Sequence, residues 1–121
     1  MILVDTLRAD KLGCYGNKLG LTPRIDQFAA QGCLFEKAYS HAPWTLPSTA
    51  SLLTSLYPAQ HGAGSRAGGM NDFLFDGITP GVYTLAESFY NHGYSTAAEV
   101  SVLFLAPKYG LNRGFQTYDY R

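Results

Sequence analysis

The chain has 121 residues and a mass of 13.2 kDa, the size of one ordinary domain. Hydrophobic residues make up 46% and charged residues 15%, which excludes an intrinsically disordered chain. Nine basic side chains balance nine acidic ones, so no net field draws the protein to nucleic acid or to an anionic membrane. No apolar run approaches the roughly 20 residues of a membrane span. The start, Met1-Ile2-Leu3-Val4-Asp5, has no basic region and reaches an acid after four residues, unlike a signal peptide. Cys14 and Cys33 form no C-x-x-C pair and read as two small buried hydrophobes.

In chain order, residues 1–5 predict a short buried parallel strand ending in Asp5. Thr22-Pro23 marks a helix start, with Thr at the cap and Pro at the first helical position. The helix covers 23–31, buries Ile25, Phe28 and Ala29, and ends at Gly32. Alternation over 33–39 predicts a second strand. A loop through His41, Pro43 and Trp44 leads to a helix over 46–55, with Pro47 in its first turn. Residues 57–80 carry Gly62, Gly64, Gly68, Gly69 and Gly77 and read as a long loop, of the length that usually has a function. Thr84-Leu85-Ala86-Glu87 is a capping box opening a helix over 84–92. Residues 95–101 predict a third strand, and the aromatic tail from Tyr109 to Arg121 shows no period. This order predicts an α/β fold with a mainly parallel sheet and helices on both faces.

In such sheets ligands gather beyond the C-terminal ends of the strands. Two residues stand there. Thr45 opens a helix, whose N-terminus offers amide donors and a partial positive charge to an anion. Its hydroxyl there could attack a phosphate or sulfate ester, given a metal ion or a base to activate it. Local physics alone reads Thr45 first as a helix cap. Asp5 ends a predicted buried strand, where a carboxylate is costly unless paired or metal-bound, although a turn-capping role also accounts for it. Arg8 and Asp10 read as a solvated turn. The Gly62-Ala63-Gly64-Ser65-Arg66-Ala67 stretch matches a dinucleotide fingerprint by letters only, because it follows no strand and opens no helix. His41, His61 and His92 lack metal-ligand spacing and read as capping or packing residues.

Five ordered segments give a resemblance. Val4-Asp5-Thr6-Leu7-Arg8-Ala9-Asp10-Lys11-Leu12-Gly13-Cys14-Tyr15-Gly16 resembles the first-strand motif of the sulfatase family, within the alkaline phosphatase superfamily. Thr22-Pro23-Arg24-Ile25-Asp26 resembles the helix that follows it. Ala42-Pro43-Trp44-Thr45-Leu46-Pro47-Ser48-Thr49-Ala50-Ser51-Leu52-Leu53-Thr54-Ser55 resembles the nucleophile segment, and Tyr57-Pro58-Ala59-Gln60-His61-Gly62 the stretch after it. Thr84-Leu85-Ala86-Glu87 and Gly93-Tyr94-Ser95-Thr96-Ala97 resemble a later helix and strand.

The resemblance implies a three-layer αβα sandwich, of which residues 1–121 are the N-terminal part of a single catalytic domain. It implies Thr45 as nucleophile, and Asp5 and Thr45, with Thr6 as a weaker third, as ligands of a divalent cation (Ca, Mg, Mn or Zn). The backbone of Leu46 would hold the anion. The Asp5 carboxylate and Thr45 hydroxyl should then lie within about 5 Å of each other, since both must reach one ion. The substrate would be a small-molecule, glycan or lipid ester of sulfate or phosphate, with no nucleic-acid partner. Three positions depart from the family. Thr45 stands where sulfatases carry the Cys or Ser that is oxidised to formylglycine, Thr49 replaces the motif's Arg, and Thr6 replaces a second Asp. A Thr nucleophile is similar to the phosphodiesterase and phosphoglycerol or phosphoethanolamine transferase branches. Family members are often exported, and no export signal is present here. The chain is expected to begin inside the first strand and to lack the C-terminal half that supplies further metal ligands. By itself it should be inactive, so a non-catalytic truncated domain, a binding module or genomic remnant, is the alternative reading.

Overall fold

A computed structural model describes residues 1–65 and 75–121. The chain divides into two units, Met1–Tyr39 and Ser40–Arg121. Gly68 and Gly69 of the expected long loop, and the end of the discarded glycine stretch at Arg66-Ala67, lie outside the described residues.

The first unit is built on one helix, α1 (Pro23–Ala30), and two 3-10 turns, Ala9–Lys11 and Gly13–Tyr15. Thr22 occupies the cap position, as its sequence predicts, but its hydroxyl makes no cap bond. It accepts instead from the Gly13 amide at 3.0 Å and donates to Asp26 Oδ1 at 3.1 Å. The same Asp26 oxygen accepts from the Cys14 amide at 2.8 Å. Thr22 and Asp26, one helical turn apart, therefore clamp the turn at 13–15. A Cβ on Gly13 would stand 2.2 Å from Asp26 Oδ2, so only glycine admits this approach. Arg8 and Asp10 form the solvated pair expected of them, Nη2 to Oδ2 at 2.8 Å.

Two expected strands are absent. Residues 1–5 and 33–39 carry no strand, and the apolar start is open to solvent, with Ile2 93% exposed. An apolar run becomes a strand only when a neighbour completes its hydrogen-bond ladder, and neither segment has one among the described residues. Asp5 thus follows an exposed segment without secondary structure rather than ending a buried strand. The face of α1 expected to be buried is also open: Ile25 is exposed and Phe28 is 78% exposed. Cys33 is exposed and Cys14 half-buried, and both are free thiols, so the reading of two buried hydrophobes does not hold.

The second unit holds α2 (Thr45–Thr54), α3 (Pro58–His61), α4 (Leu85–Asn91), β1 (Ala97–Val100) and β2 (Thr117–Tyr120). The strands pair in parallel, Ala97 opposite Thr117 through Val100 opposite Tyr120. The fold is thus α/β with a parallel sheet. β1 lies inside the expected 95–101, whereas β2 falls in the tail that shows no period. Its partner lies twenty residues upstream, and Thr96 fastens the junction: its carbonyl accepts from the Gln116 amide at 2.9 Å and its hydroxyl donates to the Gly114 carbonyl at 2.6 Å. The capping box on α4 forms as predicted, with Thr84 Oγ1 accepting from the Glu87 amide and Glu87 Oε2 from the Thr84 amide.

The core of this unit gathers Leu46, Ala50 and Leu53 of α2 with Ala63, Ile78, Ala106, Tyr109 and Leu111. Fully burying a Leu side chain is worth about 1.5–3 kcal/mol, so this cluster is what holds α2 in place. No described helix is long and apolar enough to cross a membrane.

Candidate functional site

Thr45 is the first residue of α2, and the cap position falls on Trp44 in extended backbone. The reading of Thr45 as the cap itself is therefore corrected by one residue. The third residue of the helix is Pro47, which has no N–H to offer a capping side chain. What fixes this helix start is packing. The Trp44 ring lies 4.8 Å from Phe75 and 5.3 Å from Phe104, centre to centre. Gly64 passes beneath, so close that a Cβ there would meet Trp44 Cζ2 at 2.9 Å and Pro47 Cδ at 3.0 Å. Leu46 is fully buried. The incoming chain is tied to the first turn by Ser40, whose hydroxyl meets Ser48 Oγ at 2.7 Å.

Thr45 is held between two anchors, an aromatic one before it and an aliphatic one after it. First-turn amides of a helix have no acceptor inside the helix, so the Leu46 N–H is directed out of the helix start beside Thr45. An anion held there would also gain from the helix dipole, by about 0.3–1 kcal/mol at an exposed end. Thr49, at the resembled motif's Arg position, is buried.

Asp5 is exposed, and its Oδ1 accepts from the Thr6 amide at 3.1 Å. Thr6 has φ +56°, a left-handed conformation that a β-branched residue adopts at a cost of roughly 1–3 kcal/mol. Such strain beside a carboxylate is a mark of a shaped turn. Asp5 belongs to the first unit and Thr45 to the second. Among the described residues, no group of three or more His, Cys, Asp or Glu could hold a metal ion.

His61, which the sequence reads as a capping or packing residue, is a packing residue, and its bond to Ser51 had no signal in that reading. His61 is fully buried. Its Nε2 lies 3.0 Å from Ser51 Oγ of α2, and its Nδ1 accepts from the Ala63 amide at 3.0 Å. Burial holds its pKa below the ordinary histidine value, against the opposing pull of backbone bonds to Pro47 and to His61 itself. Only the spacing of ten residues between Ser51 and a histidine closing a short helix could have signalled it.

Packing thus fixes the start of α2 around the Thr45 hydroxyl, on an α/β unit with parallel strands. The comparisons give the chain a family. The family model described as Sulfatase matches residues 1–120. The chain is 37% identical to the steryl-sulfatase of Rattus norvegicus over 100 residues, which are 79% of this chain and 17% of that protein. It is 37% identical over 97 residues to an arylsulfatase of Clostridium perfringens, covering 79% of this chain and 18% of that one. A crystal structure of a sulfatase candidate from Bacteroides thetaiotaomicron superposes with a TM-score of 0.71 at 27% identity, covering 92% of this chain and 22% of that one. The chain belongs to the sulfatase family. It spans about a sixth of the length of the curated relatives it matches.

Proposed function

We propose that these residues are the N-terminal part of a metal-dependent sulfatase-like hydrolase that cleaves sulfate or phosphate esters through Thr45. The observation that carries this reading is the placement of Thr45 at the first position of α2, between the Trp44 and Leu46 anchors. Thr45 Oγ attacks sulfur or phosphorus and forms a new ester bond. The bond to the departing alcohol breaks, and that oxygen takes up a proton, while the threonine gives one up. Water then cleaves the threonine ester and restores the hydroxyl. The Leu46 amide and the α2 dipole hold the anion's oxygens throughout.

Asp5, Thr45 and Thr6 offer hard oxygen donors, of the kind that suits Ca, Mg or Mn. One carboxylate and two hydroxyls are too few to hold such an ion by themselves, since six to eight ligands are usual for Ca. The remaining ligands come from parts of the family fold beyond these residues. When bound, a divalent cation lowers the pKa of an oxygen it holds. Relatives named steryl-sulfatase, arylsulfatase and iduronate 2-sulfatase favour a sulfate ester on a small-molecule, lipid or glycan alcohol. A threonine at the nucleophile position favours phosphate, and nucleic acid has no place in either reading.

The test extends the reading frame to whatever length its flanking DNA encodes. That product is assayed against aryl sulfate, aryl phosphate and aryl phosphodiester with added Ca²⁺, Mg²⁺, Mn²⁺ or Zn²⁺. Metal-dependent turnover that Thr45→Ala abolishes is expected, and residues 1–121 alone should give none. Turnover that survives Thr45→Ala overturns the mechanism. A stop codon with no further family motif beyond it would favour the non-catalytic alternative.

A further inference from the structure

The hydrogen-bond chemistry of His61 is over-determined. A backbone amide can only donate, so the bond from the Ala63 N–H requires Nδ1 to be bare. A neutral ring with bare Nδ1 carries its proton on Nε2, and that proton faces Ser51 Oγ at 3.0 Å. Ser51 is itself buried and lies on the face of α2 that enters the core. The turn after His61 is fixed in its own right: the His61 carbonyl accepts from the Thr79 amide at 2.9 Å, and a Cβ on Gly62 would strike Thr79 Oγ1 at 2.5 Å. One end of the link is therefore a rigid turn, and the other is the helix whose start bears Thr45.

We propose that His61 is a positioning residue, an Nε2–H imidazole tautomer that pins α2 through Ser51 and so helps fix where Thr45 stands. Ser51 lies six residues along the helix from Thr45, about 9 Å at 1.5 Å per residue. A rigid helix of that length transmits a shift at Ser51 to its first turn. Apolar packing holds α2 in the core, and a buried directed bond adds a further restraint on its position, because breaking it leaves a polar group unsatisfied. Only the final step, the consequence for Thr45, rests on the function proposed above. The pinning of α2 does not.

Two side chains separate the halves of the link. In His61→Asn, Oδ1 takes the place of Nδ1 toward Ala63, but nothing reaches Ser51. In His61→Gln, the amide Nε2 takes the place of the ring Nε2–H toward Ser51. Ser51→Ala removes the hydroxyl acceptor and leaves the ring, and the Pro47 carbonyl beside it, in place. The whole chain, labelled with ¹⁵N histidine, is examined by NMR for the His61 tautomer and by amide hydrogen exchange along α2. The expected result is a bare Nδ1 and protonated Nε2 on His61. Exchange in α2 should be roughly three- to tenfold faster in Ser51→Ala and in His61→Asn. The double variant should be no faster than either single one, and His61→Gln should return most of the protection. A ring protonated on Nδ1, unchanged exchange in Ser51→Ala, or additive effects in the double variant would overturn the proposal. Because no readout needs turnover, failure here is distinct from failure of Thr45 as nucleophile.

Discussion

Gly93 and Gly114 make a matched pair for testing the packing of α4. Both have φ +83°. Around Gly93 a Cβ meets nothing within 4 Å, whereas at Gly114 it would stand 2.1 Å from the Glu87 nitrogen and 2.4 Å from the Ala86 carbonyl carbon. Alanine at either site costs roughly 1–2 kcal/mol for the left-handed backbone. At Gly114 the obstacle is the backbone of a helix, which cannot rotate away as a side chain can. Restoring ordinary contact requires helix and turn to separate by roughly 1.5 Å. That movement breaks the bond from Thr84 Oγ1 to the Arg113 carbonyl, now 3.1 Å, and strains the one from Thr96 Oγ1 to Gly114, now 2.6 Å. Two such bonds are worth about 1 kcal/mol each, and overpacking adds about 1–3 kcal/mol. Gly114→Ala should therefore lose at least about 4 kcal/mol and Gly93→Ala no more than about 2. Urea unfolding followed by the fluorescence of Trp44, the single tryptophan, measures both. In this chain length each kcal/mol is roughly 4 °C of Tm. Equal losses at the two sites would refute the apposition of α4 and the Gly114 turn.

Thr6→Asn should raise stability by about 0.5–1 kcal/mol, since asparagine tolerates the +56° φ that threonine resists, and calorimetry reads the gain. Stability should fall as pH drops below the ordinary histidine value of 6.5 toward the lower value that His61 has when folded. The unfolded chain binds the proton first, so His61 contributes its stability above that window and loses it through it. Ser51 Oγ, the Pro47 carbonyl and the Ala63 amide meet the ring without charge, and urea midpoints from pH 7 to pH 4 should lose part of this slope in His61→Gln. Leu46→Ala should cost about 3–4 kcal/mol in the same urea assay, because the side chain is fully buried in the core of the second unit.

The parts legible in the sequence are those decided within one helical turn. Thr22-Pro23 placed α1, Pro47 placed α2, and Thr84 with Glu87 placed α4, each within a residue or two of the observed ends. Strands were legible only where the partner is also present. β1 pairs with β2 and was found, whereas residues 1–5 and 33–39 have strand-like composition and no ladder. β2 went unseen because four residues of Thr, Tyr and Asp give too short a pattern, and its register is set by Thr96 rather than by its own sequence. In the site, Thr45 was legible from the proline two residues on. The left-handed Thr6 opposes its own propensity, and the His61–Ser51 bond exists only once α2 and α3 have docked, so neither had a local signal.

The two halves of the candidate chemistry differ in how they are supported. The Thr45 half is built from the second unit's own residues: Trp44 over Gly64, Leu46 in the core, Ser40 on Ser48, and His61 behind Ser51. On the proposed reading, a hydroxyl so surrounded pays little to reach its reactive geometry, which is where most of the advantage of a built site lies. Asp5 belongs to the other unit. It follows an exposed apolar segment, and its nearest described bond is to the next residue's amide. Exposed Met1, Ile2, Leu3 and Val4 make an apolar surface that water disfavours. On the proposed reading of Thr45, the place of its hydroxyl is set as soon as the core of residues 40–121 packs around α2.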